Sequence, residues 1–410
     1  MKRLIPGFLA IMICAVFSLR AQVTTGADLL FQKHFSLIQG KRVGLVTNHS
    51  AILADGRHLA DALAQNPEVK LVALFGPEHG IRGDAPAGAK IQDDTDARTG
   101  VKVYSLYGRI NKPTPEMLQG VDVLVFDILD VGARFYTYES TMSHAMEAAA
   151  ENNIPYIVLD RPNPIRGTWV EGFIRLDSLK SFVGLHPIPI AHGLTMGELA
   201  TLINGEGWLK NNVKANLTVI RMEGWKRTHW FDETGLRWMK PSPNIPTLAS
   251  ATVYPGTCFF EGTNLSEGRG TEKPFEYIGA PYVSGTQWAG ELNSLNLPGV
   301  RFEPIEFVPR EIPGAAMNPK HKGVRCGGVF VNVVDRDAFE PIRTAIYMLS
   351  TLKRLYRGEF QWRAGSIDRL SGTPNTRLWI DAGEDAEKIV ATWKAGVEEF
   401  KKTRNEYLLY

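Results

Sequence analysis

Val69-Lys70-Leu71-Val72-Ala73-Leu74-Phe75-Gly76-Pro77-Glu78-His79-Gly80-Ile81-Arg82-Gly83-Asp84 runs from a β-branched, leucine-rich segment into a glycine-punctuated turn that carries an acid. Its first half reads as a short buried strand. Gly76, Gly80 and Gly83 allow sharp turning and close approach to a ligand, and Pro77 fixes the entry to the turn. A carboxylate therefore stands where a strand ends. In open α/β sheets the crevice beyond the carboxyl ends of the strands is where ligands bind, which gives Glu78 a claim to chemistry.

Outward from this stretch the same pattern repeats. Val43 to Thr47, Lys70 to Phe75, Val101 to Leu106, Val121 to Asp127, Pro155 to Asp160 and Asn216 to Arg221 read as strands. Gly56 to Ala64, Pro115 to Gln119, Tyr136 to Asn152 and Met196 to Asn204 read as helices between them, with Tyr138, Met142, Ala145 and Ala149 on one face of the third. Such βα alternation predicts an α/β fold with a mainly parallel, doubly wound sheet. Glu223 to Pro246, rich in Trp, charge and Pro, interrupts it. Thr247 to Glu261 has helical character but is broken by Pro255-Gly256. Strands at Phe302 to Val308 and Val324 to Val334, and helices at Ala338 to Tyr356 and Glu384 to Arg404, predict a second, smaller α+β domain. The expected division is a leader over 1–21, a first domain over 22–269 and a second over 270–410, with a substrate cleft between the two domains.

The chain has 410 residues, of which 46 are basic and 44 acidic. That balance implies no basic face for nucleic acid. Met1-Lys2-Arg3, the apolar stretch Leu4 to Leu19 and Arg20-Ala21-Gln22 have the three regions of a secretory signal peptide, with cleavage expected after Ala21. Pro6 and Gly7 interrupt the stretch, which is short for a membrane span, and Ile13 before Cys14 does not suit a lipoprotein signal. A periplasmic or secreted protein with no membrane attachment after cleavage is expected. Cys258 and Cys326 would remain; they can pair in an oxidising compartment or stand as buried thiols. Oligomeric state has no signature in the sequence.

Each strand of the first half delivers polar groups to one rim: Asn48-His49-Ser50, Glu78-His79, Asp127 to Asp130, and Asp160-Arg161-Pro162-Asn163. Turns are also rich in Asn, Asp and Gly, so each alone has a structural reading; the four together point to a site. Gly132 and Arg134, opening the long helix, can hold an anion. The Gly-rich cluster Glu261-Gly262-Thr263-Asn264-Leu265-Ser266-Glu267-Gly268-Arg269-Gly270 suits a loop wrapping a polar ligand. Trp169, Trp225, Trp230, Trp238 and Phe259 have packing as their first reading. No dinucleotide or phosphate-loop spacing, zinc spacing or serine elbow occurs, so no cofactor or metal is expected.

Taken together, Gly44-Leu45-Val46-Thr47-Asn48-His49-Ser50, Phe75-Gly76-Pro77-Glu78-His79-Gly80, Val125-Phe126-Asp127, Asp130-Val131-Gly132-Ala133-Arg134-Phe135-Tyr136-Thr137-Tyr138, Asp160-Arg161-Pro162-Asn163-Pro164 and the cluster Glu261 to Thr271 resemble the NamZ-like exo-β-N-acetylmuramidases. The resemblance runs in the same order over nearly the whole chain beyond the leader. It implies a Rossmann-like first domain, a smaller second domain, and an active site between them. It also implies release of terminal N-acetylmuramic acid from the non-reducing end of peptidoglycan fragments without a cofactor, and it maps the family's catalytic glutamate onto Glu78.

Glycoside hydrolysis needs a proton donor at the leaving oxygen and a second group that supports the transition state or activates water. Glu78 is the expected acid. Asp127 is named with it as the catalytic pair, while Asp130, Glu261 and Glu267 stay open as the second carboxylate. The lactyl carboxylate of the sugar calls for an arginine, Arg134 or Arg269. Asn48, His49 and Asn264 are candidates for hydroxyl and amide contacts, and His79, Asp130, Asp160, Arg161, Asn163, Glu261 and Glu267 complete the expected binding set. The 2-acetamido group also permits substrate assistance. A non-catalytic sugar-binding protein is the alternative reading.

Overall fold

The computed structural model describes residues 22–83 and 94–410. The leader and Asp84 lie outside the described residues. After α1 (Gly26–Gln32) come β1 (Arg42–Thr47), α2 (Leu59–Gln65), β2 (Lys70–Gly76), β3 (Asp94–Thr95), β4 (Lys102–Ser105), β5 (Val123–Asp127), α3 (Tyr138–Glu151), β6 (Tyr156–Leu159), α4 (Met196–Glu206) and β7 (Leu217–Ile220). These strands form one sheet in the order β3-β4-β2-β1-β5-β6-β7, parallel throughout except for the antiparallel edge pair β3 and β4.

Alternation along each strand explains why the sheet is covered on both faces. Val46, Phe75, Phe126 and Val158 enter one apolar core, while their neighbours Leu45, Leu74, Val125 and Ile157 enter the other. Successive side chains point to opposite faces, so a strand buried on both sides must be apolar at every position. The chain builds outward from β1 through β2 to β4, then returns to β5, β6 and β7 on the other side. The loops after β1 and β5 diverge at that reversal, and the β2 turn bearing Glu78 stands next to it.

The second half contains α5 (Leu248–Thr257), β8 (Tyr277–Ala280), α6 (Gly285–Ser294), β9 (Val300–Phe307), β10 (Cys326–Val333), α7 (Pro341–Leu355), α8 (Ala364–Ser371), α9 (Asn375–Ala382) and α10 (Ala386–Asn405). β8, β10 and β9 make a small antiparallel sheet in that order. A mostly parallel Rossmann-like sheet with a smaller α+β portion is thus the observed architecture. The apolar core that holds Phe126 of the large sheet also holds Ile278 of the small one and Leu349 of α7. α10 then carries the chain back to the first half. Arg404 Nη1 donates to the carbonyls of Gly167 and Gly193 at 3.2 Å each, and the Tyr410 hydroxyl donates to Asp160 Oδ2 at 2.7 Å.

Two local expectations differ from the structure. Pro115 to Gln119 is a set of hydrogen-bonded turns closed by Gly120 at φ 82°, because five residues cannot offset the cost of nucleating a helix. Pro255-Gly256 does not break α5. A reciprocal cap between Thr247 and Ser250 starts that helix, and packing on α7 carries it through Thr257. Strands β3 and β8 and helices α6, α8 and α9 are short elements that apolar periodicity did not announce. Cys258 and Cys326 are both free and buried, and Trp225, Trp230 and Phe259 are buried in packing. No helix among the described residues is long and apolar enough to cross a membrane.

Candidate active site

The turn after β2 is tight. The Gly80 amide donates to the Pro77 carbonyl at 3.0 Å, and Gly80 has φ 72°. His79 is buried at φ 71°, a left-handed conformation uncommon for a residue with a side chain. Backbone strain of this kind persists where the surrounding structure enforces it, typically at functional positions. Its effect here is to fix Glu78 at the carboxyl edge of the sheet. The Thr137 hydroxyl, at the start of α3, donates to Glu78 Oε2 at 3.3 Å.

Glu78, His79, Phe135, Tyr136, Thr137, Tyr138, Ser242, Tyr254 and Arg269 line one pocket. Glu78 reaches it from the first half of the chain, Arg269 from the Gly-rich cluster of the second. Arg269 Nη2 lies 2.7 Å from Glu261 Oε1, its Nε lies 3.5 Å from Glu267 Oε1, and its guanidinium covers the Phe275 ring at 5.0 Å. Burial works against its charge, but Glu261 and Glu267 outweigh that and hold its pKa above the ordinary guanidinium value. Arg269 is a fixed cation with Glu261, a third exposed, beside it.

Tyr107 connects the two carboxylates. It follows β4, whose end lies beside that of β2. Its pKa is raised first by burial, then by the charge of and a hydrogen bond with Glu78, and further by Glu261. Behind the pocket wall stands Asp130. The Gly132 amide donates to its Oδ2 at 2.7 Å, while Oδ1 is buried with no partner among the described residues. Burial pushes Asp130 up to about 7 against the pull of the Gly132 and Val131 amides. Tyr136 and Tyr138 feel both Asp130 and Glu78, so each ring lies near both acids.

The remaining candidates serve the scaffold. Asp127 is wholly buried and held by Arg161 through Nε to Oδ1 at 2.5 Å and Nη2 to Oδ2 at 2.8 Å. This pairing engages both of its oxygens, and neither residue lines the Glu78 pocket. Arg134 is likewise not brought to it: Nη1 donates to the Phe173 and Ile188 carbonyls and Nη2 to that of Leu370, so its fork is spent on backbone. Asp160 receives the Thr195 hydroxyl, the Gly197 amide and the Tyr410 hydroxyl. Asn163 bonds the Leu194 carbonyl and the Ile165 amide, tucked where a Cβ on Gly132 would lie 2.5 Å from its Oδ1. Glu267 is buried between Lys320 and Arg269, which lower its pKa despite its burial.

Asn48 is buried, its Oδ1 receiving the Ser50 amide and hydroxyl. His49 Nε2 meets the Lys240 carbonyl at 2.6 Å, and Asn264 ties the 359–361 segment through Glu359 and Gln361. Among the described residues no group of three or more His, Cys, Asp or Glu is arranged to hold a metal ion.

The sequence reading does not single out Tyr107, Ser242 or Tyr254, and it carries Tyr136, Thr137 and Tyr138 within the motif that opens α3 without naming them as site residues. Tyr107 had a signal, because it follows a strand as Glu78 does and the strand-end rule applies to it equally. Ser242 and Tyr254 come from an irregular segment and a helix far along the chain, and no local pattern marks them.

Comparison with known proteins bears on the whole length. Residues 43–249 match the family described as "Exo-beta-N-acetylmuramidase NamZ, N-terminal" and residues 252–410 its C-terminal counterpart. The chain is 48% identical over 392 residues to the peptidoglycan beta-N-acetylmuramidase NamZ of Bacillus subtilis (strain 168), covering 95% of this chain and 92% of that one. Two crystal structures of DUF1343 family proteins from Bacteroides fragilis NCTC 9343 are also similar. One has a TM-score of 0.88 at 39% identity over 95% of this chain and 100% of its own. The other has 0.75 at 33% identity, over 95% and 99%.

Proposed function

Since this chain belongs to the exo-β-N-acetylmuramidase NamZ family, we propose that it is a glycoside hydrolase that releases terminal N-acetylmuramic acid from the non-reducing end of peptidoglycan fragments, with Glu78 as the acid. The observation that carries the reading is the meeting of Glu78 and Arg269 in one pocket. Glu78 gives its proton to the glycosidic oxygen as the bond from that oxygen to C1 breaks, and water supplies the new hydroxyl at C1 while its other proton returns to the enzyme's carboxylates and restores the acid. The Thr137 hydroxyl and Tyr107 hold the carboxyl in place for that transfer.

Arg269 suits the lactyl carboxylate, since Glu261 stands at its Nη2 and Glu267 at its Nε, which leaves Nη1 to donate to a further carboxylate. Asp127 and Glu267 are engaged by buried cations. Glu261 is also paired, with Arg269, but it is a third exposed where Asp127, Glu267 and Asp130 are buried, so Glu261 is the carboxyl suited to holding water. A muramyl-glucosamine disaccharide tests the reading. The wild type is expected to liberate free N-acetylmuramic acid, and Glu78→Gln to lose at least about a hundredfold in kcat, the scale of a missing general acid, while still binding the disaccharide. Hydrolysis at the normal rate by Glu78→Gln would sink the assignment.

Export to the periplasm or medium belongs to the same proposal. Its support is the charged, apolar and small-residue pattern ending at Ala21. The Val23 amide, just beyond, donates to the Thr234 carbonyl and the Thr24 amide to that of Glu223, so cleavage after Ala21 spares the fold. A mature protein beginning at Gln22 is the expected result of N-terminal sequencing.

A further inference from the structure

Beside the Glu78 pocket runs a line of three rings, of which the chemistry above uses only the Tyr107 hydroxyl. Tyr107, whose hydroxyl is engaged by Glu78, has its ring centroid 6.1 Å from that of Phe182 at an interplanar angle of 58°. Phe182 in turn stacks on His144 of α3, 6.1 Å away and within 6° of parallel. All three rings are half-buried. Each is held by its backbone. The Tyr107 amide receives support from the Ser105 hydroxyl at 3.3 Å. Phe182 sits in a four-residue turn in which the amides of Ser181 and Gly184 each donate to the other's carbonyl at 3.2 and 3.1 Å. Burial lowers the His144 pKa and Lys112 and Lys180 add to that against Glu147, so the imidazole at the end of the line is neutral at neutral pH.

A large apolar ring at the tip of a tight turn, part-exposed, has no core to fill. Single exposed apolar side chains need no explanation, but three in line that begin at the proton donor do. The leaving sugar is bonded to the oxygen that Glu78 protonates, so it must lie within one sugar's width of Glu78. Arg269 and Glu261 both act on Tyr107 and not on His144, so they mark the Tyr107 end of the line as the one that suits a sugar bearing a carboxylate. The ring line presents apolar faces without a formal charge, which suits a neutral 2-acetamido pyranose.

We propose, resting on the hydrolase reading above, that Tyr107 and Phe182, backed by His144, form the subsite for the neutral acetamido sugar on the leaving side of the scissile bond. Phe182 is a specificity residue for that sugar. Tyr107 joins the subsite to the acid, so occupation by the sugar bears on where Glu78 delivers its proton.

The test compares two substrates: the muramyl-glucosamine disaccharide and methyl N-acetylmuramide, which has no leaving sugar. Purified wild type, Phe182→Ala and Phe182→Tyr are assayed for kcat and KM on both. The ratio of kcat/KM for the disaccharide to that for the methyl glycoside is expected to fall about threefold to tenfold in Phe182→Ala, the scale of one ring contact, mainly through KM, and to recover in Phe182→Tyr. Free N-acetylglucosamine should inhibit the wild type at lower concentration than it inhibits Phe182→Ala. An unchanged ratio in Phe182→Ala, with the wild type active on both substrates, overturns the subsite and leaves the hydrolase reading standing. An equal loss on both substrates in Phe182→Ala, unrestored in Phe182→Tyr, assigns Phe182 to scaffolding and overturns the subsite too. A wild type that hydrolyses neither substrate overturns the hydrolase reading and the subsite with it.

Discussion

Two acids close to the same pair of tyrosines meet opposite environments. Glu78 stands at a strand end, partly exposed and hydrogen-bonded by a hydroxyl, whereas Asp130 is buried with one oxygen unpartnered. Burial moves the Asp130 pKa from 3.8 to about 7, and that shift has a sign. Between the unfolded and folded values the folded chain holds a proton that the unfolded chain has lost, so the stability that Asp130 contributes falls as pH rises from about 4 to about 7 and the loss is constant above. Asp130→Asn keeps an acceptor for the Gly132 amide and cannot ionise. Relative to wild type, its urea-unfolding free energy is expected to rise between pH 5 and pH 8. A difference that does not vary with pH would mean that Asp130 is already ionised in the fold. Asp160, pushed up to about 6, and Glu171, to about 8, titrate in both proteins and cancel from the comparison.

At the level of elements, what could be read from sequence was what is local. β1, β2, β5 and β6 were legible because a strand buried on both faces must be apolar at every position, and Glu78 was legible because the turn after β2 follows directly. Arg134 and Asp127 look as suitable for ligand as Arg269 and Glu261 do in one dimension. Only the fold shows the first two spent on carbonyls and on Arg161. Helix α5 is instructive in the other direction. Pro255 and Gly256 mark a break by propensity, yet Gly256 is where α5 meets α7: a Cβ built there would lie 2.0 Å from the Pro341 carbonyl oxygen. The residue that weakens the helix is the one that lets it pack. Gly256→Ala is therefore expected to destabilise by about 1–3 kcal/mol, the range for overpacking, although alanine is the better helix former. A thermal midpoint equal to or above that of wild type would show that α7 yields freely.

For the molecule as a whole, the pocket depends on two halves keeping their relation, because Glu78 belongs to one and Arg269 to the other. One apolar core runs through both, and the last residues of the chain fasten onto the first half. The Leu409 amide donates to Glu198 Oε1 at 2.9 Å. The Tyr410 hydroxyl receives the Met222 amide and donates to Asp160, and the Tyr410 ring packs edge-on against Trp225 at 5.0 Å. Asp160 and Glu198 are buried carboxyls just after β6 and at the start of α4. Deleting 407–410 leaves each short of a donor, at a cost of about 1–3 kcal/mol for each buried group so exposed to loss. With a shared core the wild type is expected to unfold in one cooperative transition. The truncated chain should keep a single transition at a lower midpoint, and lose kcat/KM on the disaccharide at temperatures well below it as the two halves loosen. Circular dichroism melts of both proteins decide the matter. Two resolved transitions in the wild type would mean that the halves are stable separately, and that the tail fastens finished domains instead of completing one core.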